Sequence, residues 1–244
     1  MRFLQTIRYA TKLAVWHRLP KVRLSRPTFM VTGDMDDCAN VTDNVTANLR
    51  VVRDHGLPYT VFLTPTPPEK LPETTMLLEK MSAIIESHSF HVDHSTLSRS
   101  QQLQNFVESK RMIEECGQRV LGVRVPWLSW NGDTFKAAEA VYRFDSSVCL
   151  RSQSLARHGK LILVPVTPPT DTSMVEQHLP AHRILRRWME TAEELLPLNG
   201  LFVLQAHPLN PLARVLDRLL SYVGSLGFKF SSPWALVEDL GLAD

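Results

Sequence analysis

Three of the chain's nine histidines fall within seven residues, in His88-Ser89-Phe90-His91-Val92-Asp93-His94. Upstream, a short apolar run ends in Gly33-Asp34-Met35-Asp36-Asp37. Imidazole nitrogen and carboxylate oxygen are the donors that zinc and similar divalent cations accept, and a catalytic metal keeps one position open for water. Asp36 and Asp37 are adjacent carboxylates and repel each other, so one must meet a cation or hold a proton. A natural division gives one to a metal and leaves the other as a base. The alternative is an Asp-rich turn that caps the next helix, a role that also suits Asp34. His88 and His91 stand one turn apart, as do His91 and His94, so either pair can face one cation.

These residues need a scaffold that brings them together. Thr28–Thr32 reads as a buried strand and Val41–Asp54 as a helix closed by Gly56 and Pro58. Tyr59–Leu63 is a second strand, rich in β-branched and aromatic residues. Leu71–Ile85 reads as a helix, and Ser98–Cys116 as a long polar helix ended by Gly117. Val120–Arg124, Phe144–Val148, Leu161–Val166 and Leu201–Ala206 read as strands. Thr134–Tyr142, Met174–Leu196 (broken at Pro180) and Leu212–Leu226 read as helices. About six or seven β/α units predict a parallel sheet, open or closed into a barrel, with ligands at the carboxyl ends of its strands. Asp34–Asp37 follow the first strand, Arg124 ends another, and His207 follows the last strong one.

The chain has 244 residues, 44% hydrophobic and 21% charged, the size and balance of one globular domain. Residues 1–26 carry seven Lys or Arg and no acid, while the rest carries 20 basic and 25 acidic residues. A basic arm on an acidic body argues against a nucleic-acid-binding body. Apolar residues of the arm recur at roughly helical spacing, which fits a basic amphipathic helix on an anionic membrane surface or a helix packed on the domain. Cys38, Cys116 and Cys149 are scattered and odd in number, the pattern of a reducing compartment. No run has the length of a membrane span, and Lys12, His17 and Arg18 interrupt any signal-peptide core. The expected location is the cytoplasm, with the arm at the inner face of the membrane.

Four short motifs in order resemble those of the polysaccharide deacetylases, carbohydrate esterase family four. Asp34-Met35-Asp36-Asp37 resembles the D-V-D-D variant of the first motif, and His88-Ser89 with His91, Asp93, Leu97 and Ser98 the second. Arg124-Val125-Pro126-Trp127 resembles R-x-P-Y, with Asn131 nearby, and Leu204-Gln205-Ala206-His207-Pro208 the last. The resemblance spans roughly residues 28–240. It implies a distorted, seven-stranded (β/α) barrel occupying residues 27–244. It also implies a metal-dependent hydrolase that removes an N-acetyl or related N-acyl group from an amino sugar or glycan precursor.

In that frame Asp36 is the base, Asp37, His88 and His91 hold a divalent metal (Zn2+ first, with Co2+, Mn2+ or Ni2+ as alternatives), and Arg124 holds the base. The Trp127 N–H helps bind the oxyanion and His207 is the acid. Asp145 and Asp171 both stand as the carboxylate that orients Arg124. His94 stands as a substitute ligand, and Trp130, Asp34 and His94 as substrate contacts; Trp130 serves equally as a core aromatic. The histidine spacing is one residue shorter than the family's. Rival readings are a non-catalytic sugar-binding relative, an O-acyl esterase with the same machinery, and a metal-free glycosidase using paired aspartates.

Overall fold

The computed structural model describes residues 14–243. Strand β1 (Lys21–Arg23) is followed by β2 (Thr28–Met35), helix α1 (Asp43–Asp54), β3 (Tyr59–Leu63), α2 (Leu71–Lys80) and β4 (Ala83–Ser87). Then come α3 (Arg99–Glu115), β5 (Gly122–Val123), α4 (Thr134–Glu139), β6 (Phe144–Asp145), β7 (Ser154–His158) and β8 (Leu161–Leu163). The chain ends with α5 (Asp171–Val175), α6 (Ala181–Leu195), β9 (Leu201–Gln205), α7 (Ala213–Ser225), β10 (Lys229–Phe230) and α8 (Pro233–Asp239).

Seven of these strands run parallel in the order β8-β6-β5-β4-β3-β2-β9. The two ends of that row are drawn together without a regular ladder. The Thr167 N–H donates to the Val203 carbonyl at 3.0 Å, and the Leu201 N–H to the Ser152 carbonyl at 3.1 Å. The result is the distorted (β/α) barrel. β1 and β7 form an antiparallel ribbon beside β8, and β10 extends the edge of β2 ahead of β3.

Strand pleating sorts side chains by parity. Phe29 and Val31 of β2 and Tyr59, Val61 and Leu63 of β3 pack outward under the helices. Met30, Phe62, Phe144, Ile162, Val164, Leu201 and Val203 pack inward, closed below by Leu236 and Val237 of α8. The inward row of β2 therefore continues from Met30 through Thr32 to Asp34 and on to Asp36, leaving Asp37 on the other side.

Two expectations are corrected here. Leu71–Ile85 is not one helix: it stops at Lys80, the chain reverses through Ser82 at φ 60°, and Ala83–Ser87 is a central strand. No glycine or proline marks that turn, so a helix-length apolar segment hid a β-branched strand. β2 also runs three residues beyond Thr32, and this carries its carboxylates to the rim. Of the basic arm, residues 1–13 lie outside the described residues; Trp16 is buried in the outer core and Lys21–Arg23 pairs with β7. Among the described residues no helix is long and apolar enough to cross a membrane.

Candidate active site at the carboxyl ends of the strands

Arg124, at the end of β5, is fully buried beneath the opening of the barrel. Its Nη1 donates to Asp34 Oδ1 at 2.7 Å, its Nη2 to the hydroxyls of Thr32 and Ser146 at 2.9 Å each, and its Nε to the Ser146 carbonyl at 3.1 Å. The guanidinium also lies 4.1 Å from the centre of the Phe62 ring. A buried charge is tolerated only when paired and hydrogen-bonded, and here the fork is filled. The other oxygen of Asp34 accepts from Gln205 Nε2. Burial alone would raise the Asp34 carboxyl, but the facing Arg124 charge, with His88 and His207, holds it below the ordinary value.

Asp34 Oδ2 stands 3.9 Å from His88 Nε2 and 3.9 Å from His207 Nε2. The His207 turn comes this close to β2 because residue 33 has no side chain: a Cβ there would lie 2.4 Å from the Ala206 carbonyl oxygen and 2.9 Å from Pro208. His207 Nδ1 bonds Asp171 Oδ1 at 2.7 Å and the Thr172 hydroxyl at 3.0 Å. Asp171 Oδ2 also accepts from the His207 N–H at 2.6 Å and from Asn210 Nδ2 at 2.7 Å. Burial would push the His207 imidazole down, but the Asp171 bond and charge outweigh it and raise it to about 9. His207 is therefore an imidazolium at neutral pH.

Asp36 reaches the histidine segment. Its Oδ1 lies 3.2 Å from His88 Nε2 and 3.3 Å from His91 Nδ1. The hydrogen bond from His88 and its positive charge draw the Asp36 carboxyl down to about 2. His88 Nδ1 lies 2.6 Å from the Arg124 carbonyl, which can only accept, so the proton belongs on Nδ1. Nε2 then faces a carboxylate with either a second proton or a bare lone pair, and a lone pair beside a carboxylate requires a cation between them. Ser89, at φ 59°, folds the chain back so that His91 can return to Asp36 despite the short spacing.

Among the described residues no three His, Cys, Asp or Glu side chains close into a finished metal cage. The donor chemistry of Asp36, His88 and His91 nonetheless fits a borderline divalent cation. Donors sharing a tetrahedral cation at about 2.0–2.1 Å stand roughly 3.3 Å apart, and both measured separations from Asp36 agree with that. The His88–carbonyl bond is the outer support that metal-binding imidazoles ordinarily have.

Asp37, expected at the metal, is turned away: its oxygens accept from the Ala39 N–H at 2.7 Å and Asn40 Nδ2 at 3.2 Å, an Asp turn ahead of α1. Asp34, expected as a substrate contact or cap, is instead the carboxylate on Arg124. His94 is buried and stacked on Phe106 at 5.1 Å, away from Asp36, and burial lowers it to about 4, so it stays neutral. Trp130 is 5% exposed and packs on Phe135, whereas Trp127 is 62% exposed with its ring edge-on to His91 at 4.2 Å. Trp130 is thus a core residue and Trp127 the aromatic at the opening. Trp127 and Leu128 have φ of 54° and 52°, and the turn's backbone bonds run from Leu128 to Val125 and Ser129 to Pro126, using neither group of Trp127.

Neither Asp145 nor Asp171 orients Arg124. Asp145 accepts from Ser147, and burial raises it to about 7; Asp171 serves His207. Thr32 and Ser146 position Arg124, and Gln205 positions Asp34; none of the three is assigned a role by the sequence. Inward parity with Asp34 and with His207 is the one signal that marks Thr32 and Gln205.

Residues 23–142 match the polysaccharide deacetylase family. In fold the chain is similar to a carbohydrate esterase family four pseudoenzyme from Bacillus anthracis, at 16% identity and TM-score 0.68, covering 89% of this chain and 68% of that one. It is also similar to the chitin deacetylase of the fungal pathogen Colletotrichum lindemuthianum, at 14% identity and TM-score 0.64, covering 91% of each chain. An allantoinase matches at 13% identity and TM-score 0.71, covering 88% of this chain and 89% of that one. At such identities the structural likeness speaks for the fold alone. No curated protein matches by sequence.

Proposed function

We propose, from the premise that the chain belongs to the polysaccharide deacetylase family of amide and ester hydrolases, that it is a metal-dependent N-deacetylase of an acetylated amino sugar. One observation carries the reading. A single carboxylate oxygen, Asp34 Oδ2, stands 3.9 Å from His88 Nε2, on the side of the candidate metal ligands, and 3.9 Å from Nε2 of the protonated His207. Base, metal-binding side and acid thus share one opening.

Asp36, His88 and His91 would hold the cation, with zinc, cobalt, manganese and nickel all suited to the donor set. When bound, it supplies Lewis acidity to the substrate carbonyl and acidifies water. Asp34, kept ionised by Arg124 and aimed by Gln205, takes a proton from the attacking water. The Trp127 N–H donates to the developing oxyanion, where a preset donor has its largest effect. His207 gives the Nε2 proton to the departing nitrogen while Asp171 holds Nδ1. These assignments move the base from Asp36 to Asp34 and the metal carboxylate from Asp37 to Asp36.

The test is elemental analysis paired with acetate release from N-acetylated sugars. Asp34→Asn should retain metal and lose turnover, and Asp36→Asn should lose metal. Metal retained equally in both would return the ligand role to Asp37. The basic arm extends the proposal to a membrane-apposed substrate in the cytoplasm: the full chain should sediment with anionic vesicles, and a chain lacking residues 1–13 should not.

A second reading, a sugar-binding relative without turnover, is favoured by the shortened histidine segment, whose His91 side chain is 41% exposed beside Trp127. It requires binding of the acetylated sugar with no acetate released under any metal.

A further inference from the structure

The loop that carries Asp171 has a second face. There, Pro168, Pro169 and Met174 form one wall of a cavity of about 700 Å³, closed on the other side by the first two turns of α6. The charged residues lining it are Arg151, Arg183 and Arg187, with His182 beside them and no carboxylate. Three other surface cavities each include a glutamate in their walls, Glu73, Glu108, or Glu114 with Glu115. The cationic cavity is the exception on a body where acids outnumber bases.

The cations are also unequally engaged. Arg151 is fixed by Glu194, by the Pro168 carbonyl at 3.3 Å and by Thr191 at 3.5 Å. Arg183, Arg187 and His182 are exposed and make no ion pair among the described residues. Arg183 and Arg187 are one helical repeat apart, so their charges repel. Arg183 stands in the first turn of α6, at the positive end of its dipole, where there is no acid and Pro180 supplies no side-chain cap. Each of these placements costs stability in the free protein, and all are relieved by one bound anion. Two guanidinium groups lining one cavity suit the oxygens of a phosphoryl group.

We propose that this cavity is a phosphate-binding subsite, and that the amino-sugar substrate carries a phosphate ester that docks there. The shared wall, Pro168 to Met174, then ties substrate docking to the loop that holds His207. The substrate half of this inference rests on the deacetylase reading, whereas the binding half does not.

Two measurements separate them. The first is calorimetric titration of the full-length protein with inorganic phosphate, comparing wild type, Arg183→Gln/Arg187→Gln, and a charge-matched control, Arg50→Gln/Arg119→Gln, taken from other exposed surfaces. The cavity variant should bind roughly tenfold more weakly or worse, and the control should bind like wild type. Equal weakening in both variants, or none in either, overturns the subsite. The second compares KM for phosphorylated and unphosphorylated N-acetylglucosamine. The cavity variant should raise KM for the phosphorylated sugar roughly tenfold more than for the other. A parallel rise in both overturns the substrate assignment. If neither sugar is turned over by any protein, the deacetylase reading falls and the phosphate titration still decides the subsite. Loss of binding to phosphatidylglycerol vesicles in the cavity variant, with inorganic phosphate unbound by wild type, would identify a lipid headgroup as the ligand and overturn the substrate role.

Discussion

Asp34 and Glu86 line the inside of the same barrel, 3% and 1% exposed, on strands separated only by β3, yet they differ in charge. Burial pushes both carboxyls up. At Glu86 the opposition is two backbone N–H groups, those of Leu121 and Gly122, each 2.7 Å from the same oxygen, and the carboxyl still rises to about 8. At Asp34 a guanidinium sits at 2.7 Å, and the carboxyl stays ionised. Dipoles soften the cost of a buried charge, and a full opposite charge reverses it. The barrel thus holds one carboxylate ready to accept a proton and one carboxylic acid tied into its wall.

Removing the guanidinium should collapse that contrast and produce the largest effect. Arg124→Met should lower acetate release by about a thousandfold or more and destabilise the fold by about 3–5 kcal/mol, since it strands Asp34 without its partner. Adding Asp34→Asn should recover part of the stability in urea unfolding but none of the activity. Additive losses in that cycle would show that the pair is not coupled.

Next in size is the acid limb. His207 is protonated below about 9, so activity should hold to that pH and fall above it. Asp171→Asn removes the first group that holds the proton, and the alkaline limit should move toward the ordinary imidazole value near 6.5. The same pair gives a stability term with a definite sign. The contribution is full below pH 6.5 and lost as pH climbs to about 9, because the folded imidazole keeps a proton that the unfolded one has released. A melting profile in which Asp171→Asn and wild type run parallel across that window would break the assignment.

Glu86→Gln sharpens the other side of the comparison. Unfolded Glu loses its proton near 4.5 and the folded one near 8, so wild-type stability should decline across that interval. The Gln variant should lose that slope and keep acetate release within about twofold. The smallest effect belongs to His94→Phe, which preserves the stack on Phe106. Metal content should not change; its loss would make His94 a ligand after all.

Much of this is legible in the amino-acid sequence. Alternating strands and helices predict a parallel sheet, open or closed, and the family resemblance implies the barrel. Asp34–Asp37, Arg124 and His207 fall at strand ends in the sequence because local periodicity is written in local residues, whereas His88 follows a segment read as helix. Which aspartate does what was not legible from types alone. Asp34, Asp36 and Asp37 are chemically alike, and the difference lies in how far β2 continues: three more residues of pleat point Asp34 and Asp36 inward and Asp37 away. Ala83–Ser87 does not read as a strand in the sequence because its preceding turn uses serine at positive φ in place of glycine.

Sequence alone determined the kinds of groups present and their order along the strands, since those follow from neighbours a few residues apart. The tertiary structure decided the partnerships: Arg124 with Asp34, 90 residues apart, Gln205 with Asp34, 171 apart, and Asp171 with His207, 36 apart. Closing the barrel brings those groups within bonding distance, and the register that closes it is set by packing of the inward row around Phe62 and Phe144, a property of all seven parallel strands together.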